Sequence, residues 1–62
     1  MKLKLGEIYT HKPSCNNYKL LMVTNLDATN NQSFVPTAVY EDKHGSLWSR
    51  PLTEFKDKFI LK

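Results

Sequence analysis

Trp48 and Arg50 stand two residues apart in the run Leu47-Trp48-Ser49-Arg50. In an extended strand that spacing puts both side chains on one side, with Leu47 and Ser49 on the other. With Leu47 in the core, Trp48 and Arg50 project outward side by side. An indole beside a guanidinium can stack on a base, grip a phosphate or carboxylate, or anchor a protein partner. The structural alternative is that Trp48 covers one end of the core and Arg50 pairs with Glu41 or Glu54, an ion pair of small energy. Tyr9 and His11 share a face of an earlier strand by the same rule, opposite Ile8, and are expected to wall the same site. A hydrogen bond from His11 to backbone is the plainer role for that ring. Tyr40 offers a further ring for stacking and Lys12 a further cation for phosphate.

No set of residues supports catalysis. A hydrolytic site needs a nucleophile, a base and an orienting acid that converge in a pocket. Cys15 and His11 could pair, but neither has a third partner, and 62 residues are too few to enclose a substrate. With only two glycines there is no phosphate-cradling loop. A tetrahedral metal site would have to be built from Cys15, His11 and His44 alone, and the two histidines are far apart in sequence. The expectation is therefore no enzyme, no metal and no cofactor. His44 is expected in solvent at a hairpin tip. Cys15, the one cysteine, can form no internal disulfide and fits a reducing compartment.

The elements that hold these residues are short. Apolar blocks alternate with turn residues, and no stretch has helical periodicity over its length. Glu7 to His11 is a first strand with Ile8 toward the core. Lys12 to Asn17, with Pro13 and two asparagines, is a loop. A second strand runs from Tyr18 to Leu26, with Tyr18, Leu20, Met22 and Leu26 on one face and Leu21 and Val23 on the other. Asp27 to Gln32 is a polar turn. A third strand covers Ser33 to Glu41, with Pro36 marking a bulge or an edge. Asp42-Lys43-His44-Gly45 closes a hairpin, with Gly45 free to take positive φ. Ser46 to Arg50 is the fourth strand. Pro51 to Phe55 is one helical turn with Pro at its start, and Lys58 to Leu61 is a last strand. Leu20, Met22, Val39, Leu47, Leu52 and Phe55 are the expected core.

The chain reads as one all-β domain, a small five-stranded SH3-like barrel with a helical turn before its last strand. An oligonucleotide-binding barrel would place a helix between the third and fourth strands, where none is evident. Net charge is +3. The surplus is at the front, where Lys2, Lys4, Lys12 and Lys19 face only Glu7; from residue 20 onward five basic residues balance five acids. A mild basic patch suits nucleic acid or an acidic partner. No apolar run is long enough for a secretory signal or a membrane span, which predicts a cytoplasmic protein with no membrane partner.

Gly6-x-Ile8-Tyr9-x-His11-Lys12, Tyr18-Lys19-x-Leu21, Val39-Tyr40 and Leu47-Trp48-x-Arg50-Pro51-Leu52-x-x-Phe55 together resemble the short bacterial and phage proteins of domain-of-unknown-function family 1653. The resemblance spans about residues 6 to 59. Thr10 stands where that family has an arginine, and Pro13-Ser14-Cys15-Asn16-Asn17 replaces its loop glycine. The resemblance implies the barrel, points at Tyr9, His11, Tyr40, Trp48 and Arg50, and suggests a phage or bacterial accessory protein. It supplies no mechanism.

The function expected is a non-catalytic binding module that engages a protein or nucleic acid through Tyr9, His11, Lys12, Tyr40, Trp48 and Arg50. Two alternatives stand beside it. One is sequestration of a small anionic ligand such as a nucleotide, with Trp48 or Tyr40 on the base and Arg50 and Lys12 on phosphate. The other is a structural subunit that joins a larger assembly through an exposed strand edge.

Overall fold

Proline and glycine set where the elements begin and end. The computed structural model describes residues 3–26 and 34–62. It contains β1 (Ile8–His11), β2 (Asn16–Thr24), β3 (Thr37–Glu41), β4 (Leu47–Pro51), α1 (Leu52–Lys58) and β5 (Phe59–Leu61). Pro36 precedes β3 and Pro51 ends β4, positions at which a missing N–H costs no central ladder bond. Gly45 has φ +82°, and its N–H donates to Asp42 O at 3.1 Å. The expected hairpin at residues 42–45 is thus present, and it sets β3 against β4 with Tyr40 opposite Trp48 and Ala38 opposite Arg50. The polar turn at Asp27–Gln32 and the start of the third strand at Ser33 lie outside the described residues.

The protein is mostly β: the described residues form one antiparallel sheet of five strands in the order β4-β3-β2-β1-β5, with one short helix. β4 and β5 stand at the two ends of that order, with no ladder between them among the described residues. α1 connects them and packs on β3, β4 and β5. It extends three residues beyond the expected turn at Pro51–Phe55. Glu54 in its first turn and Lys56 and Lys58 in its last complement the helix dipole. No side chain caps its start, but Leu52 N–H reaches Pro36 O at 2.8 Å. That bond satisfies one of the donors every helix leaves unpaired. Among the described residues, no helix is long and apolar enough to cross a membrane.

The core is Tyr9, Leu20, Ala38, Tyr40, Phe55 and Phe59, with Leu3, Tyr18 and Leu52 packed against it. Its centre is aromatic. Phe55 and Phe59 stack at 4.2 Å with planes 11° apart, and Tyr9 and Tyr40 each approach Phe55 at 5.4 Å. Such pairs add about 0.5–1.5 kcal/mol each beyond the area they bury.

Several sequence expectations about faces are reversed. Ile8 is 38% exposed and Tyr9 is fully buried, so β1 presents its other face to the core. A tyrosine ring buries more area than isoleucine, and its hydroxyl needs a partner, which Lys4 N–H supplies at 2.8 Å. Met22 is 48% exposed because the β2–β3 register slips between Leu20 and Met22. Leu20 faces Tyr40, yet Met22 faces Val39, its immediate neighbour. The extra residue, Leu21, is a bulge that inverts the alternation beyond it. Val39 is accordingly only half-buried, while Ala38 and Tyr40 are buried. Leu47 is 64% exposed, because the side of β4 that meets Tyr40 is the one carrying Trp48 and Arg50.

A candidate anion-binding rim

Trp48 and Arg50 do share one side of β4, but that side lies over the edge of the aromatic core instead of pointing away from it. Arg50 is half-buried. Its Nε–H donates to Tyr40 Oη at 2.9 Å, and its guanidinium carbon lies 5.4 Å from the centre of the Phe59 ring. A planar cation over an aromatic ring gains a further electrostatic attraction. No carboxylate pairs with it: Lys58–Asp57 at 3.9 Å is the one ion pair among the described residues. The alternative pairing with Glu41 or Glu54 is thus replaced by a phenol hydroxyl and an aromatic ring.

His11 sits on the same ring cluster. Its ring centre is 4.9 Å from Phe59 and 6.5 Å from Tyr18. Nδ1 and Ser14 Oγ are hydrogen-bonded at 2.7 Å, so a side chain, and not backbone, satisfies the imidazole. Burial, then the Arg50 charge, then the Lys58 charge hold the His11 pKa below its ordinary value. Two cations therefore act on one imidazole, Arg50 without a carboxylate partner among the described residues and Lys58 beside Asp57. Lys12 adjoins His11, with its backbone N–H bonded to Lys58 O at 2.8 Å and its side chain exposed.

Tyr9 and Tyr40 are not binding surfaces. Tyr9 is wholly enclosed, against the expectation that it walls the site with His11. Tyr40 is 3% exposed, its ring occupied by Phe55, Phe59 and Tyr18, so it cannot stack on a ligand. Its contribution is the hydroxyl that aims Arg50.

Trp48 is half-exposed and held by one edge. Its Nε1–H donates to Asp42 Oδ2 at 2.9 Å, while Asp42 Oδ1 accepts His44 N–H at 2.8 Å and Ser46 N–H at 3.0 Å. The bond from Trp48 is the largest cause that lowers the Asp42 pKa, and the two backbone bonds and the His44 charge add to it; partial burial opposes them. Between this hairpin and the start of β2 is an open groove of about 590 Å³, lined by Asn16, Tyr18, Asp42, Lys43 and Trp48 among others.

Asp42, Tyr18, Ser14 and Phe59 were not among the site residues expected from sequence. An aspartate opening a D-K-H-G turn does signal a side-chain bond to the turn backbone. Nothing in the spacing says that its second oxygen reaches a tryptophan across the hairpin. Comparison of the chain with family models, with curated proteins and with solved structures returns no match.

Proposed function

We propose that this chain is a non-catalytic binding module that takes an anionic partner at the rim formed by Arg50, His11, Lys12 and Trp48. The observation that carries this reading is Arg50. It is aimed by a buried phenol and an aromatic ring, has no carboxylate partner among the described residues, and leaves its outer nitrogens for a ligand. A preorganised guanidinium suits phosphate or carboxylate because its planar fork donates two parallel bonds. The order β4-β3-β2-β1-β5, with a helix between β4 and β5, also suits the SH3-like barrel. In this reading the chain is an accessory protein of bacterial or phage type, as its resemblance to domain-of-unknown-function family 1653 implies.

The test is a titration with short polyanions across a salt series, each variant first checked for folding by circular dichroism. Arg50→Ala should lose tenfold or more in affinity, and Trp48→Ala at least as much. Lys43→Ala should lose less than Arg50→Ala, since Lys43 is an exposed, flexible charge in the hairpin turn. Binding should weaken steeply with salt. Equal affinities for wild type and all three variants would reduce the rim to packing.

A further inference from the structure

We propose that the partner is single-stranded nucleic acid and that the groove between the β3–β4 hairpin and the start of β2 receives an unpaired base. This rests on the anion-binding reading and adds a second, uncharged half to the site. Trp48 and Arg50 are two residues apart on one side of β4, about 6.6 Å along the strand. A sugar–phosphate link joins a base to its neighbouring phosphate over a similar reach. A base on Trp48 therefore leaves a phosphate beside Arg50, with the Lys58 charge also close to His11 on that edge.

The groove itself favours a neutral planar ring. Trp48 is locked at its Nε1 edge by Asp42, so its exposed ring is held in one orientation before any ligand arrives. Tyr18 lines the groove, braced edge-on by Tyr40 at 5.2 Å and Phe59 at 5.7 Å. Asn16, opposite His11 in the β1–β2 ladder, brings an amide with both a donor and an acceptor, the pair that a base edge presents. Asp42 stays ionised in the groove, held so first by the Trp48 bond. A fixed carboxylate there disfavours any anionic group inside the groove, so the groove suits the uncharged base while the phosphate lies outside it beside Arg50. Duplexes hide their base faces, so a stacking platform of this kind selects unpaired strands.

The chain has one tryptophan, so its fluorescence reports on this groove alone. The experiment titrates the full chain with a labelled ten-nucleotide oligothymidine, the same deoxyribose-phosphate chain without bases, poly-glutamate, and thymidine monophosphate. Anisotropy and Trp48 emission are read together. The expected result is oligothymidine binding at least tenfold tighter than the abasic chain, with quenched emission, and a loss of fivefold or more in Asn16→Ala or Trp48→Ala. The wild-type quench needs no variant, so a folding defect in Trp48→Ala leaves the proposal testable. Equal binding of oligothymidine and the abasic chain without quenching overturns the groove and leaves the anion rim standing. Poly-glutamate binding as tightly as oligothymidine overturns the ligand class. The monophosphate quenching at the same concentration as the oligomer replaces a strand with a free nucleotide. If no anion binds, the anion reading falls as well.

Discussion

The Arg50 Nε–H bond to Tyr40 Oη, at 2.9 Å, ties a rim cation to a ring that is 3% exposed. The core thus orients the site through one hydroxyl. Phe59 completes the arrangement, because it is both a core residue and the ring beneath the guanidinium.

Tyr40→Phe keeps the ring and removes the hydroxyl. It should cost about 0.5–1.5 kcal/mol of stability, the usual net value of one hydrogen bond. Anion affinity should fall several-fold more than that loss of stability explains, because Arg50 is no longer aimed. Chemical denaturation and an anisotropy titration on the same protein separate the two effects. Unchanged affinity would show that Arg50 needs no support from Tyr40.

Phe55→Ala or Phe59→Ala should cost about 3–5 kcal/mol, the range for emptying a buried aromatic site. Domains of this size hold roughly 3–5 kcal/mol in total, so either variant should be largely unfolded by circular dichroism. Met22→Ala and Leu47→Ala should each cost under about 1 kcal/mol, because both side chains are exposed. A large loss at Met22 would contradict the bulge at Leu21.

Cys15 has φ +61°, a left-handed conformation that disfavours residues with a Cβ. Cys15→Gly should therefore stabilise the fold by about 1 kcal/mol. Cys15→Ser keeps the strain and should change little, as should alkylation of the exposed thiol. Thermal melts of the three proteins provide the comparison. A lower melting temperature for the glycine variant would show that the thiol contact 3.9 Å from Lys12 O matters more than the backbone.

The folded-state pKa of His11 is depressed, first by burial, then by Arg50 and Lys58. The unfolded chain binds this proton more readily, so His11 contributes stability that is present above its ordinary pKa near 6.5. That contribution is lost as pH falls through the ordinary value toward the lower folded one. A bound anion reverses the local field and raises the pKa, so affinity should increase as pH falls from about 7.5 to 5.5. NMR titration of the His11 ring with and without polyphosphate measures both. An unshifted His11 in the complex would separate the imidazole from the site.

Much of the architecture was legible because local chemistry decided it. Gly45 and Asp42 fixed the hairpin, Pro51 fixed the helix start, and an i, i+2 spacing put Trp48 and Arg50 together. The faces were harder. Ile8 and Tyr9 are adjacent apolar residues, and alternation alone permits either to point inward. The larger ring, with Lys4 N–H available to its hydroxyl, took the core. The Leu21 bulge is invisible in a run of apolar residues that suits either parity. The Asp42 bond to Trp48 is not legible in the same way, because it is a contact across the hairpin that no spacing rule describes.

The pairing of β1 with β5 has a kinetic consequence. The β3–β4 hairpin joins near neighbours, whereas Tyr9 meets Leu61 across almost the whole chain. Closing that long loop carries the largest entropy cost in the fold, so β5 is expected to dock last. β5 begins with Phe59, the platform under Arg50 and His11. The site is therefore unfinished until the final assembly step, and an anion at the rim should act as a clasp on that step. Hydrogen exchange provides the check: β5 amides should open first in the free protein and slow the most when polyphosphate binds. Uniform protection across all five strands would show that the sheet opens only as a whole.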